Sequence, residues 1–237
     1  MKKIFIFLSA LFVIVCSFAA PKNEKKIVIE RPDMEKIKAE VLDPASKYYY
    51  PKLMAMYQQN ETIMNLDQYR HLYLGMVFQE DYNPYRHSSA DKQNEQLIYD
   101  AGRKHTREEF DSIISFAERA LADDPFDLTQ MNYLIYGLRG RGKDNRAAIW
   151  QYRLNHILEA IVSTGAGIDT ENAWYVINPR HEYNIINFQI CIAEGQQYVE
   201  PYFDYIRIKP AAGKPEGYFF NIHYILEEYY RKFPEQM

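Results

Sequence analysis

Cysteine is scarce in this 237-residue chain, and its two cysteines, Cys16 and Cys191, are too few for a disulfide scaffold. Basic residues are not in excess either. The chain has 28 Lys and Arg against 32 Asp and Glu, a formal net charge of −4, which excludes the basic bias of nucleic-acid-binding domains. Hydrophobic residues make up 47% of the chain. That share excludes wholesale disorder and supplies a sizeable core for one or two domains.

Local signatures of catalysis, metal binding and cofactor binding are also missing. No two of the six histidines are three or four residues apart, so none forms a helical metal-ligand pair. There is no Gly-x-Ser-x-Gly elbow. The Gly-rich stretch 137–143 lacks the spacing of a phosphate loop and the Ser or Thr after its Lys. We therefore predict no cofactor, no metal site and no catalytic residue. The basic side chains around this stretch could bind a phosphate or an acidic partner: Arg139, Arg141, Lys143 and Arg146.

The first 19 residues have the pattern of a secretory signal peptide. Lys2 and Lys3 precede the apolar run Ile4–Val15. That run makes about 18 Å of helix, well short of the roughly 30 Å hydrocarbon core. The small residues Ser17 and Ala19 then predict cleavage after Ala19, which leaves 218 residues with a net charge of −6.

Two alternatives for this N-terminus stay open. One is an uncleaved anchor, and the other is a lipoprotein acylated on Cys16, against which the bulky preceding Val15 argues. We expect an exported protein, periplasmic or secreted, with no stable membrane span after cleavage.

Apolar spacing divides the mature chain into a helical part and a mixed part. After a leader at 20–31, residues 32–167 repeat apolar side chains at steps of three and four, which predicts successive amphipathic helices. Short β-rich runs before a terminal helix then predict a small, mostly antiparallel sheet in 168–237, with strands near 173–177, 181–192, 198–208 and 217–222. The predicted fold class is α+β and mostly α, with antiparallel helical hairpins, a small sheet and a C-terminal helix.

The paired helices between residues 106 and 164 resemble degenerate tetratricopeptide repeats. Ala120 and Pro125 are five residues apart, like the late Ala and closing Pro of that motif, and Met131 and Leu134 follow at the early positions of a next unit. Ile135 stands where the motif has Gly, so any antiparallel helical bundle fits the same pattern. The resemblance implies stacked hairpins with a concave face for a protein or peptide partner.

Three aromatic-rich segments, at 46–51, 69–75 and 82–85, accompany the signal peptide. Together they resemble an uncharacterised family of exported Bacteroidetes proteins that is described only as a domain of unknown function. The resemblance covers most of the mature chain. It implies export and a helical, repeat-like body, and it implies no activity and no catalytic residues.

Tyrosine is abundant, with 21 residues spread over both parts of the chain. The segment 69–86 is the best candidate for a binding surface, because tyrosine rings beside a cation suit peptide or sugar contacts. We predict four binding residues exposed on this surface: Tyr73, Tyr82, Tyr85 and Arg86. The alternative is that these rings pack on the helical core.

Three functions are compatible with these patterns. The favoured one is an exported binding or scaffold protein that uses a helical-repeat-like surface, with a protein or peptide as its partner. The second is an unrecognised hydrolase acting on envelope or other polymers. It requires several side chains to converge in one cleft, from among His71, His87, His181, Glu80 and Asp81. The third is a structural envelope protein.

Overall fold

The computed structural model of the chain describes residues 28–59, 63–99 and 104–236. The predicted signal peptide, its cleavage site and Cys16 lie outside these residues. Within them, no helix combines the length and the apolar character that crossing a membrane requires.

The chain forms two compact units. The helical unit comprises residues 86–155, and the mixed unit comprises the described residues up to Tyr85 together with those from His156 onward. The described residues before Arg86 belong to the same unit as the C-terminal part of the chain.

Helices dominate the secondary structure. Those within the described residues are α1 (Met34–Leu42), α2 (Tyr50–Gln58), α3 (Leu66–Gly75), α4 (Ser89–Tyr99), α5 (Arg107–Asp123), α6 (Leu128–Gly140), α7 (Asp144–Val162), α8 (Pro179–Phe188) and α9 (His223–Lys232). The strands are β1 (Trp174–Tyr175), β2 (Ala193–Val199), β3 (Phe203–Ile208) and β4 (Gly217–Asn221). Short 3₁₀ turns follow α3 at Met76–Phe78 and α9 at Pro234–Gln236. The predicted mostly helical fold class, with a small sheet and a C-terminal helix, is confirmed.

Small residues bring the antiparallel helices of the helical unit close together. Ala117 and Ala120 of α5 are buried, and α5 packs against α6. Gly140 at the end of α6 lies against the Phe110 ring, so that a Cβ at this position would lie 2.3 Å from the ring. This contact fits a helical hairpin, while the tetratricopeptide likeness stays a prediction.

The sheet of the mixed unit has the order β1-β4-β3-β2. Strands β2, β3 and β4 pair antiparallel, whereas the two-residue β1 pairs parallel to β4. The sequence predicts a mostly antiparallel sheet, but it predicts no strand over most of β2. The sheet is therefore mixed, and β2 is one of its edge strands. Most of β2 is exposed, while β3 alternates so that Asp204, Ile206 and Ile208 are buried.

The strand predicted over 181–192 is wrong, because most of that stretch forms helix α8. The Asn178 side chain accepts a hydrogen bond from the Arg180 amide (2.9 Å), and Pro179 occupies a first-turn position where its missing N–H costs nothing. Ile185 and Ile186 then bury at helical spacing from Glu182. The helix-capping signal at 178–179 therefore indicates the structure of this stretch better than its content of β-branched residues does.

A buried arginine ties distant segments of the mixed unit together. Arg70 on α3 donates to the Ser163 carbonyl (3.0 Å), to the Ser163 hydroxyl (2.8 Å) and to the Glu30 carbonyl (2.8 Å). Hydrogen bonds from a charged donor to buried backbone are among the stronger ones. The N-terminal segment is thereby fixed to α3 and to the end of α7.

Candidate functional site

Two carboxyl groups meet in the interior of the mixed unit. Glu182 lies on α8, on the same face as Ile185 and Ile186, and its side chain has no exposed surface. Asp204 occupies a buried position of β3 and is also nearly inaccessible. The two carboxyl groups interact, since the negative charge of Asp204 helps to raise the pKa of Glu182. We call these two residues the carboxyl pair.

The surroundings of Glu182 disfavour its ionised form. Among the described residues, no N–H or hydroxyl donor reaches either carboxyl oxygen of Glu182. A buried carboxylate without a donor is costly, and a second carboxyl group nearby adds repulsion. Burial, and next the negative charge of Asp204, raise the pKa of Glu182 well above its usual range. Burial also raises the pKa of Asp204, while hydrogen bonding from Gln196 and the neighbouring Glu182 lower it. Burial and the nearby charge thus favour the neutral form of Glu182.

A chain of hydrogen bonds links the carboxyl pair to the surface. The Gln196 amide donates from Nε2 to Asp204 Oδ2 at 2.7 Å. The Tyr183 hydroxyl donates to Gln196 Oε1 at 2.9 Å, and the Tyr183 ring is exposed. The buried carboxylate thus fixes the Gln196 amide on β2, which in turn holds the Tyr183 hydroxyl.

This arrangement does not suit hydrolysis. Glycosidases place their two carboxyl groups about 5 to 9.5 Å apart, on either side of a cleft that is open to substrate. Aspartic-protease pairs share a proton but are open to water and substrate. Glu182 has no exposed surface. The geometry is that of a carboxyl pair that stabilises and orients the groups around it.

Exposed aromatic rings surround the carboxyl pair. We define the tyrosine surface as five side chains of the mixed unit that are each between 38% and 50% exposed: Tyr85, Tyr183, Tyr198, Tyr230 and Phe233. The Tyr229 ring connects three of them, with centroids 5.5 Å from Tyr85, 5.6 Å from Tyr230 and 5.2 Å from Phe233.

The strand pairing and the electrostatic effects place part of the tyrosine surface near the carboxyl pair. Burial raises the pKa of Tyr85, and the nearby Tyr229 and Asp204 raise it further. The pKa of Tyr198 is raised by burial first, then by Glu200, Tyr230 and Asp204. Tyr198 stands directly opposite Asp204 in the β2–β3 pairing, so the two side chains share one face of the sheet. Rings from β2, α8 and α9 therefore gather over a single buried acid.

The structure separates the four predicted binding residues. Tyr73 and Tyr82 are buried, so the prediction that they are exposed is wrong. The Tyr73 hydroxyl shares a hydrogen bond with Nδ1 of His181 (2.7 Å), and the Tyr82 hydroxyl donates to the Ile177 carbonyl (2.7 Å). Their rings fill the core and their hydroxyls satisfy buried polar atoms, which is the alternative that the sequence left open. Tyr85 is exposed and belongs to the tyrosine surface.

The fourth predicted residue, Arg86, lies in the helical unit. Its guanidinium donates from Nη1 to the Asp123 carbonyl at 3.0 Å, at the end of α5. This contact holds the guanidinium at the end of a helix, where a cation offsets the partial negative charge of the last carbonyls.

The side chains that a hydrolase would need do not converge. His71 stacks on Tyr48 with ring centroids 3.7 Å apart and lies 2.8 Å from Glu40. His87 is mostly exposed in the helical unit, and His181 is buried beside Tyr73. Across the described parts of the chain, no three His, Cys, Asp or Glu side chains are grouped as a metal ion would require.

The basic side chains around 137–143 are engaged with partners inside the helical unit. Arg141 forms an ion pair with Asp111 on α5 (2.6 Å), and Arg146 forms one with Glu118. Arg139 donates to the Gln151 side chain at 3.3 Å. These contacts hold the turn between α6 and α7 and reduce its capacity for a phosphate ligand.

Sequence reasoning missed Glu182 and Asp204, although each carries a signal. Asp204 occupies the inward phase of an alternating strand, where Ile206 and Ile208 follow at steps of two. Glu182 precedes Ile185 and Ile186 at steps of three and four, on the apolar face of α8. An acid at an apolar position of an amphipathic element is unusual enough to mark a candidate. The error over α8 hid the signal at Glu182.

The comparisons with known proteins give one match. A family model described as a domain of unknown function (DUF4919) matches residues 35–231, which include the carboxyl pair and all of the tyrosine surface except Phe233. No match was found among curated proteins or among solved structures.

Proposed function

This chain belongs to the DUF4919 family, a domain of unknown function, and we propose that it is an exported binding protein that takes an extended peptide segment of a partner protein. The peptide lies along the edge strand β2 and contacts the tyrosine surface. The observation that carries the proposal is an exposed edge strand whose own side chains belong to a cluster of exposed rings.

The edge position of β2 supports peptide binding. Its outer side pairs with no strand among the described residues, and its residues from Glu194 to Tyr198 are exposed. Natural edge strands are usually protected by Lys, Pro or covering elements, because their unpaired N–H and C=O groups accept another strand. Between Gln196 and Val199 the pairing with β3 is regular, so that a peptide can continue the sheet there.

The rings supply the side-chain contacts that such a peptide needs. Tyr198 belongs to β2, the Tyr183 hydroxyl donates to Gln196 of β2, and Tyr230 lies near Tyr198. Tyrosine adds large contact area and a hydroxyl at little conformational cost, and it is enriched where proteins bind each other. The sequence favoured the helical region as the binding surface, whereas these rings belong to the mixed unit. Export is supported by the signal-peptide pattern of the first 19 residues.

The test starts from linear peptides selected on the purified protein by phage display. Their affinities are measured by fluorescence anisotropy for the wild type and for a Tyr198→Ala, Tyr230→Ala double variant. Loss of two interface rings should weaken binding by about tenfold or more. Tyr99→Ala is the matched control, because Tyr99 is similarly exposed but lies in the helical unit.

Methylation of the peptide backbone distinguishes strand addition from other modes. If the peptide pairs with β2, N-methyl groups at alternate peptide residues should abolish binding, while those at the intervening residues should not. Equal affinities for the wild type and the double variant would contradict the proposed surface. Uniform tolerance of N-methylation would contradict the strand pairing.

A further inference from the structure

A second concave surface of the mixed unit lies away from the tyrosine surface. A cleft of about 460 Å³ is lined by α1, by the 3₁₀ turn Met76–Phe78 with the two residues after it, and by α9. A smaller cavity of about 280 Å³ adjoins it near the start of α1. The two share three lining residues: Glu35, Tyr224 and His223. A cleft of this combined size is suited to a small ligand or to one or two side chains.

Helix α9 contributes to both surfaces with different faces. Tyr224, Glu227 and Arg231 follow each other at steps of three and four and line the cleft. Tyr230 and Phe233 belong to a neighbouring stripe of the helix and to the tyrosine surface. Side chains on different helical stripes point in different directions. The cleft is therefore distinct from the proposed peptide-binding surface.

Aromatic rings line the cleft. The Phe78 and Tyr224 rings meet edge to face, with centroids 5.5 Å apart. The His223 ring packs on Tyr202 at 4.6 Å. The ammonium of Lys38 already lies 5.6 Å from the Phe78 centroid, within the range of a cation–π contact. The cleft thus contains ring faces that attract a cation.

The charges of the lining are unequal. Five acidic and three basic side chains line the two cavities, for a formal charge of −2 with His223 neutral: Asp33, Glu35, Glu80, Glu227 and Glu228 against Arg31, Lys38 and Arg231. Arg231 is held by Glu228 through two hydrogen bonds of 2.7 and 2.8 Å. Among the described residues, no cation lies within ion-pair distance of Glu35 or Glu80, and Glu227 lies 3.7 Å from His223.

Glu35 and Glu227 act together on the Tyr224 hydroxyl. They come from α1 and α9, and both line the cleft. Burial raises the pKa of Tyr224 to about 12, and the negative charges of Glu35 and Glu227 are the next causes. The hydroxyl therefore stays neutral at physiological pH, in a partly desolvated region of negative potential.

We infer that this cleft binds an organic cation, an ammonium or guanidinium group that sits between Glu35 and Glu227 while its aliphatic stem packs on Phe78 and Tyr224. Two carboxylates from different helices neutralise the charge, and the rings contribute cation–π attraction and apolar contact. The cation can come from a free diamine or from the Lys or Arg side chain of a protein. Both sources have the same chemistry at the site.

Isothermal titration calorimetry on the purified protein tests this site with three probes. Cadaverine stands for the free diamine, Nα-acetyl-lysine amide for the protein side chain, and 1,5-pentanediol for a neutral molecule of similar length. Cadaverine, the lysine amide or both should bind, the diol should not, and the cation that binds identifies the source. Added salt should weaken binding, because the carboxylates are partly exposed to solvent.

Two double variants distinguish a specific effect of the cleft carboxylates from a general effect of net charge. Glu35→Gln with Glu227→Gln should weaken cation binding by about tenfold. Glu194→Gln with Glu216→Gln removes the same charge from exposed positions outside the cleft and should bind as the wild type does. Circular dichroism and thermal unfolding confirm that each variant is folded. Absence of binding by both cations, or equal binding by the wild type and the cleft variant, would overturn the inference.

Discussion

Replacing Glu182 by Gln tests the raised pKa of Glu182 in the carboxyl pair. In the wild type, Glu182 is buried without a donor to its oxygens among the described residues, and burial and Asp204 raise its pKa. The amide of Gln has nearly the same shape and carries no proton that titrates. The substitution should therefore remove the dependence of stability on the Glu182 proton while keeping the packing.

The sign and size of the effect follow from the raised pKa of Glu182. The folded chain holds a proton that the unfolded chain releases near its ordinary pKa of 4.5. The stabilisation is complete below that pH and is lost as the pH rises through the raised folded-state pKa. One proton gives a slope of at most 2.303RT, about 1.4 kcal/mol per pH unit, between the ordinary and the raised pKa. Glu182→Gln should lack this decline.

Urea unfolding followed by circular dichroism, at four pH values from about 5 to 8, measures the two slopes. The N–H groups of the Gln amide are also buried and cost about 1 to 3 kcal/mol at every pH, so the slope and not the absolute stability is the test. Glu194 is an exposed residue of β2, and Glu194→Gln should keep the wild-type dependence of stability on pH. Parallel pH profiles for the wild type and Glu182→Gln would refute the raised pKa of Glu182.

Three further substitutions test packing and backbone geometry. Ile190→Gly should raise the free energy of unfolding by about 0.5 to 1 kcal/mol in urea titrations, because Ile190 is mostly exposed and has φ of 58°, where a β-branched residue is strained. Gly140→Ala should lower the melting temperature, because the new Cβ would lie 2.3 Å from the Phe110 ring, an overpacking that costs about 1 to 3 kcal/mol. Tyr82→Phe should cost about 1 kcal/mol in urea titrations, because the Ile177 carbonyl loses its hydroxyl donor.

A further variant serves as the control for each of these three predictions. Gly213 has φ of 74° and open space around it, so Gly213→Ala adds backbone strain without a clash. It should lower the free energy of unfolding, whereas Ile190→Gly should raise it. Gly195→Ala is the control for Gly140→Ala, because Gly195 has no positive φ and the nearest atom would lie 3.5 Å from its new Cβ, so this clash is absent. Tyr82→Ala should cost clearly more than Tyr82→Phe, since it also leaves a cavity. A stabilised Gly140→Ala, a destabilised Ile190→Gly or a neutral Tyr82→Ala would each contradict the corresponding contact.

Local sequence patterns were sufficient for the helical unit and for most of the sheet. Thr106 and Glu109 form the capping box that their spacing predicts, with hydrogen bonds of 2.7 and 3.3 Å. Apolar residues at steps of three and four give α5 and α6, and alternation gives β3. Helix caps and hydrophobic periodicity depend on neighbours within a few residues, which is why a single sequence contains them.

Only the tertiary structure decided which rings and acids face solvent. Tyr82 and Tyr85 stand three residues apart and look alike in sequence, yet the first donates to a core carbonyl and the second is exposed. Glu182 and Asp204 are 22 positions apart and meet only because α8 packs on the sheet. Burial and the pairing of distant polar groups depend on contacts between segments far apart in sequence. The carboxyl pair and the tyrosine surface therefore emerge from the fold and from no local motif.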